Sequence, residues 1–109
     1  MLYRELQEKL RGYDWDDGFD TPREILDDPN CDLALALEIF YLGDGYACLT
    51  GRVNESGLTE WKEFILSLYE RILHGNYSNT GVHFQIPLNR VARYKFRKQN
   101  IPSVFLDDL

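Results

Sequence analysis

The sequence predicts an all-α domain, because two of its longest segments carry the apolar pattern of helices. Leu33–Leu42 is apolar on nearly every face, with Glu38 as its one charged residue, which is typical of a buried helix. From Trp61 to Leu73 the apolar residues recur at i, i+3, i+4 and i+7, with charges on the opposite face. We therefore expect about five helices stacked as antiparallel helical hairpins, with at most one short extended segment near residues 82–86.

The first elements are predicted from spacing and from helix-start signals. Leucines four residues apart predict an amphipathic helix over Leu2–Arg11, followed by an irregular acidic loop. Thr21 precedes a proline and stands three residues before Glu24, which predicts a helix with Thr21 as its cap in a capping box. That helix should end before Pro29, because the residue preceding a proline disfavours helical geometry.

The central helix is expected to begin just after that proline. Asn30 is the predicted cap, with Asp32 in the first turn, where a negative charge suits the helix dipole. A buried β-strand is the competing interpretation of Leu33–Leu42, but the length of the run and its leucines and alanines favour a helix. Gly43-Asp44-Gly45 should end it, and Tyr46–Val53 is ambiguous.

The last third of the chain contains a basic segment and an apolar tail. Asn89–Lys98 has apolar residues at helical spacing among five basic ones, which predicts a basic amphipathic helix. Tyr94 and Phe96 within it resemble a nucleic-acid footprint, yet the chain is acidic overall. We expect instead that this helix lies against the acidic N-terminal half and that Val104–Leu106 docks on the core.

Length and composition indicate a single globular domain over residues 1–109. The chain is 44% hydrophobic and 14% aromatic, which is more apolar material than a disordered chain carries. Its longest apolar run is too short to span a bilayer and no signal peptide opens it, so a cytoplasmic location is expected.

Charge is unevenly distributed along the chain. The formal net charge is −6, which argues against nucleic acid or a membrane surface as a partner. Residues 1–56 hold 13 of the 18 acidic residues and 5 of the 12 basic ones, a balance of −8. The acidic half is therefore the part expected to meet a basic partner.

No catalytic, metal or cofactor motif is recognisable. With Asp14 as the first ligand of a calcium loop, Gly18 falls at position five and Ile25 at position twelve, so the EF-hand spacing fails. The remaining metal-binding and nucleophilic residue types are not at ligand spacing, although a Cys–His pair meeting only in space stays open: Cys31, Cys48, His74 and His83. We expect no enzyme activity, no metal and no cofactor.

A protein-binding surface is the remaining hypothesis. Aromatic side chains supply contact area at low entropic cost, and carboxylates around them steer a basic partner. The alternative is that the aromatics belong to the core and the acids only keep the domain soluble. The candidate partner-binding residues are Asp14, Trp15, Asp16, Asp17, Asp20, Asp44 and Tyr46.

Several short sequence motifs, taken in their order along the chain, resemble the DUF4274 family of small bacterial proteins, a domain of unknown function. The motifs are Trp15-Asp16-Asp17-Gly18-Phe19, Pro29-Asn30-Cys31-Asp32-Leu33-Ala34-Leu35, Phe40-Tyr41-Leu42-Gly43-Asp44-Gly45 and Glu60-Trp61-Lys62-Glu63-Phe64. By analogy, such families resemble immunity proteins of bacterial toxin systems.

The resemblance implies a cytoplasmic protein that neutralises a cognate toxin, expected to be basic and of the nuclease type, by blocking its active site. Two alternatives stay open. One is a general interaction or regulatory domain unrelated to toxins. The other is a small metal-binding or hydrolytic enzyme.

Overall fold

The computed structural model describes residues 1–109 as an all-helical domain without a β-strand, which confirms the predicted fold class. Six α-helices form it: α1 (Tyr3–Arg11), α2 (Asp20–Asp27), α3 (Leu33–Leu42), α4 (Gly45–Leu49), α5 (Thr59–Leu73) and α6 (Arg90–Lys98). Short 3₁₀ turns lie at Trp15–Asp17, Arg52–Glu55 and Ser103–Phe105. None of the helices combines the length and the apolar character needed to cross a bilayer.

The core is built around α3, which packs against α5. Ile39 and Phe40 on α3 are fully buried, and the apolar stripe of α5 faces the same core through Phe64, Ile65, Leu68 and Ile72. This agrees with the two strongest sequence patterns. Helix α1 packs on α2 through its own leucine stripe.

The start of α2 differs from the prediction. Thr21 is not the cap, since the helix begins at Asp20 after Phe19, and no side chain caps it. Phe19 is held there by tertiary packing, because its ring stacks on that of Phe64 with the centroids 4.7 Å apart. Pro22 then falls at the third helical position, where a missing N–H is harmless because the first turn has no acceptors for its donors.

The start of α3 also differs, because Asp32 and not Asn30 is its cap. One carboxylate oxygen of Asp32 accepts a 2.9 Å hydrogen bond from the backbone N–H of Leu35. Asn30 belongs to the preceding turn, in which its N–H donates to the carboxylate of Asp28. The predicted cap was two residues too early because several capping residue types follow each other here.

Residues 82–86 form no strand, but Phe84 exchanges two backbone hydrogen bonds of 2.9 and 3.1 Å with Leu109. This pairing holds the C-terminal tail on the domain. Phe105 in the tail is fully buried and stacks on Tyr69 with the centroids 4.6 Å apart. The expected docking of the tail is confirmed.

Helix α6 meets the acidic half only in part. Its Phe96 packs edge-on against Tyr46 of α4, with the centroids 5.6 Å apart. Its ion pairs, however, go to the tail: Arg93 contacts Asp108 at 3.0 Å, and Arg97 contacts Asp107 at 2.5 Å. The expectation that this helix lies against the acidic half is therefore met only at Tyr46, because the tail supplies the two carboxylates that pair with its arginines.

Candidate functional site

An apolar groove crosses the surface where the turn at Trp15 meets the end of α3 and the start of α5. One hollow, of about 320 Å³, is lined by Trp15, Phe19, Leu42, Gly43, Asp44, Leu58 and Trp61. A second hollow of about 430 Å³ shares Phe19, Leu58 and Trp61 with it and extends along Gly57, Thr59 and Glu60. We call the two hollows together the groove.

The floor of the groove is an aromatic cluster anchored in the core. Trp15 packs edge-on against Phe19 and Phe64, with the ring centroids 6.5 and 6.4 Å away. The 3₁₀ turn that presents Trp15 is capped by Asp14, whose carboxylate accepts the N–H of Asp16 at 2.9 Å. Trp15 and Phe19 are half-buried. Each ring therefore contributes both to the core and to the groove. The two alternatives for these aromatics, core or exposed surface, do not exclude each other.

Close backbone approach explains the Gly43-Asp44-Gly45 sequence. The indole N–H of Trp61 donates a 2.7 Å hydrogen bond to the carbonyl of Gly43, which draws α5 onto the end of α3. A Cβ on Gly45 would lie 2.2 Å from the ring of Phe40, so only glycine fits. Asp44 adopts the left-handed conformation with φ +65° and caps α4. The turn therefore shapes this end of the groove.

Two leucines on the rim are unusually exposed. Leu42 is 52% exposed and Leu58 is 69% exposed, although each adjoins half-buried aromatic rings. An exposed apolar patch with a polar rim is a common mark of an interaction site. The exposure of Leu58 follows from its position just before α5, outside the buried stripe of that helix.

The rim of the groove is acidic, and its charge is largely uncompensated. Asp44 and Glu60 line the two hollows, while further carboxylates adjoin Trp15 and Phe19 in the chain: Asp14, Asp16, Asp17 and Asp20. All six are exposed, and only Asp20 has a cation within reach, Arg23 at 3.7 Å. A partner approaching the groove therefore meets a negative potential.

Of the seven predicted partner-binding residues, the structure places two, Trp15 and Asp44, in the lining of the groove. Asp14, Asp16, Asp17 and Asp20 are exposed and adjoin Trp15 and Phe19 in the chain but are not lining residues. Tyr46 lies apart from the groove lining, because its ring packs against Phe96 and beneath the guanidinium of Arg52 at 5.7 Å.

The other lining residues of the groove were not among the predicted partner-binding residues, and they include Leu42, Leu58, Glu60 and Trp61. Leu42 and Trp61 were taken as parts of buried helical patterns. Leu58 carried a usable signal, since it is an isolated apolar residue in the polar stretch between Asn54 and Glu60. Three of the four motifs that carry the family resemblance contribute residues to the groove, namely those over residues 15–19, 40–45 and 60–64.

The cysteines and histidines are not arranged as a reactive cluster. Burial raises the pKa of the Cys31 thiol to about 12 and that of Cys48 to about 11, so both thiols are protonated at neutral pH. His74 and His83 are exposed, and no three His, Cys, Asp or Glu side chains are placed to hold a metal ion.

Comparison with known proteins gives one match. The sequence model of a family described as "Domain of unknown function (DUF4274)" matches residues 4–73. That range runs from α1 to the end of α5 and contains every residue of the groove. No curated protein and no solved structure matches the chain.

Proposed function

The chain belongs to the DUF4274 family, a domain of unknown function, and we propose that it is a protein-binding domain whose groove takes a basic partner. In its most concrete form, the proposal is a cytoplasmic immunity protein that neutralises a nuclease-type toxin. The observation that carries it is the combination of an exposed apolar groove with carboxylates that lack ion-pair partners.

The groove has the composition of a binding hot spot. Tryptophan and other large side chains in a concave apolar site contribute most of the energy of typical interfaces. Both tryptophans of the chain, Trp15 and Trp61, line it, and Leu42 and Leu58 offer apolar area that is still exposed to water. Covering this area would stabilise a complex by roughly 25 cal/mol per Å² removed from water.

The acidic rim suits the type of partner that the immunity hypothesis needs. An enzyme that cleaves nucleic acid binds phosphates, so its substrate cleft is rich in lysine and arginine. A domain with Asp16, Asp17 and Asp44 around an apolar groove can occupy such a cleft and exclude the substrate. Association should be steered by charge and should slow as salt is added.

The test is rescue of cells by co-expression with the product of the gene beside its own. Leu58→Ala removes an exposed groove side chain without touching the buried core, so it should fold normally but lose rescue and co-purification. Leu73→Ala is the matched control, since Leu73 lies at the other end of the same helix and is also exposed. It should behave as the unaltered protein.

Two outcomes would overturn the immunity proposal. One is the absence of any rescue or co-purification with the neighbouring gene product. The other is rescue that Leu58→Ala leaves intact, which would remove the groove from the interface. If the neighbouring gene product is not toxic but co-purifies, and Leu58→Ala abolishes that co-purification, the protein is a general interaction domain instead.

A further inference from the structure

The domain already places its own arginines on aromatic rings at the edge of the acidic surface. The guanidinium of Arg23 lies 6.0 Å from the ring centroid of Phe19 and 5.8 Å from that of Phe64. Its nearest carboxylate is Asp20, at 3.7 Å. Within the domain itself, an arginine side chain therefore lies between an aromatic ring and a carboxylate at this surface.

The two tryptophans in the groove have no such cation. Indole gives the most favourable ring face for a cation, and Arg is the cation most often found on it. Every arginine or lysine that stacks on a ring in this structure stacks on a phenylalanine or tyrosine, and none stacks on Trp15 or Trp61. Both indoles therefore carry no cation of this chain, and both are partly exposed.

A carboxylate lies in the same hollow as both indoles. Asp44 lines it together with Trp15 and Trp61. Its one hydrogen bond is a long one of 3.4 Å, from the N–H of Ala47 to Oδ1, which leaves Oδ2 free to accept from a ligand. An apolar side chain placed here would displace water from this carboxylate without replacing its hydrogen bonds, which is unfavourable.

We propose that the groove recognises an arginine side chain of the partner protein, an inference that rests on the proposed protein-binding function. The guanidinium stacks on the indoles and donates to the carboxylate of Asp44. The methylene groups lie against Leu42 and Leu58. Arginine fits better than lysine, because the guanidinium is planar, stacks on rings and is more weakly hydrated than an ammonium.

The probe for this inference is N-acetyl-arginine amide, titrated into the intact protein. The chain has only two tryptophans, so the indole N–H signals in a ¹⁵N spectrum report directly on the groove. We expect saturable shifts of both signals, with a Kd on the order of 10 mM for one stacked and paired side chain. N-acetyl-citrulline amide, which has the same shape without the charge, should bind at least fivefold more weakly, and N-acetyl-norleucine amide likewise.

A pair of variants tests the role of the carboxylate. Asp44→Asn removes the charge, while asparagine still tolerates the left-handed backbone and can still cap α4. It should weaken the arginine probe at least threefold. Glu70→Gln removes an equal charge from the exposed side of α5, about 13 Å along the helix from Trp61, and should leave binding unchanged.

Each alternative outcome is decisive. If the norleucine probe binds as tightly as the arginine probe, the groove is an apolar anchor site. If the citrulline probe binds as tightly, the positive charge contributes nothing to binding. Either result overturns the inference. If the arginine probe shifts neither indole while Leu58→Ala still abolishes rescue, the inference fails and the proposed function stands. If rescue never occurs but the arginine probe binds as expected, the proposed function fails alone.

Discussion

The phenol hydroxyl of Tyr3 donates a 2.9 Å hydrogen bond to the buried carboxylate of Asp32. The hydroxyl of Thr80 donates to the second oxygen at 2.6 Å, and the N–H of Leu35 completes the set. Burial and this carboxylate raise the pKa of the Tyr3 phenol, so it stays a donor at neutral pH. One side chain thereby joins α1, the start of α3 and the loop after α5.

Replacing Asp32 should therefore destabilise the domain strongly. Asp32→Ala removes the cap of α3 and leaves two hydroxyls without their acceptor, which should cost about 2–4 kcal/mol of unfolding free energy. Urea unfolding followed by circular dichroism measures it. Asp27→Ala is the control, since Asp27 pairs with Arg71 on the surface and should cost under about 1 kcal/mol. Equal losses would show that the Asp32 network contributes nothing special.

Gly45 and Gly57, which lie on either side of the 3₁₀ turn at Arg52–Glu55, should respond oppositely to the same substitution. Gly45→Ala forces a Cβ to within 2.2 Å of the Phe40 ring and should cost about 2–3 kcal/mol. Gly57→Ala meets no atom within 4 Å and should be neutral or stabilising by about 0.5 kcal/mol, because it restricts the unfolded chain. Thermal unfolding of the two variants side by side checks this, and a neutral Gly45→Ala would contradict the close packing.

The fold was predictable where a periodic pattern and burial agree. Leu33–Leu42 and Trp61–Leu73 carry such patterns over ten residues or more, and both are helices at the centre of the core. Helix ends were predicted less well. Thr21 has the right local chemistry for a cap, but the stacking of Phe19 on Phe64 fixes the start earlier, and that contact joins distant parts of the chain.

The site was predictable in its charge and not in its shape. The aspartates next to Trp15 are contiguous in the sequence, so their acidity could be recognised directly. Leu58 and Trp61 join them only because the indole of Trp61 is tied to Gly43, far away in the chain. No periodicity encodes that contact. Tyr46 lies outside the groove lining for a similar reason, since its ring packs against Phe96 of α6, which is distant in the chain.

Arg93 should be the basic residue of α6 that matters most for stability. Its guanidinium donates to the carbonyls of Ile86, Leu88 and Leu106 and to the carboxylate of Asp108. Arg93→Lys cannot reproduce this fork of donors and should cost about 2 kcal/mol.

The matched variant is Arg97→Lys, because Arg97 makes one exposed ion pair, with Asp107. It should change stability by less than about 0.5 kcal/mol. Hydrogen exchange should also show faster opening of the tail amides in Arg93→Lys alone. Similar behaviour of the two variants would mean that the tail is held by its apolar residues and not by Arg93.

Glu38 gives a pH-dependent prediction of definite sign. Burial raises the pKa of this half-buried carboxyl, opposed by the nearby Arg11. Its folded pKa lies above its unfolded value, so its ionisation opposes folding at neutral pH and has no effect once both states are protonated. Glu38→Gln should therefore raise the urea midpoint at about pH 7, with the gain shrinking as the pH falls toward about 4. A gain that is constant with pH would mean that ionisation of Glu38 is not its source.

The two tryptophans offer a final comparison within the groove. The indole N–H of Trp61 donates to the carbonyl of Gly43 at 2.7 Å, whereas that of Trp15 has no hydrogen-bond partner in the protein. Replacement by phenylalanine removes similar apolar area at both positions but a hydrogen bond only at Trp61. We therefore expect Trp61→Phe to be more destabilising than Trp15→Phe by about 1 kcal/mol. The difference in urea unfolding free energy between the two variants measures this. A larger loss at Trp15 would show that aromatic packing, and not the hydrogen bond of Trp61, contributes most to the stability of the groove.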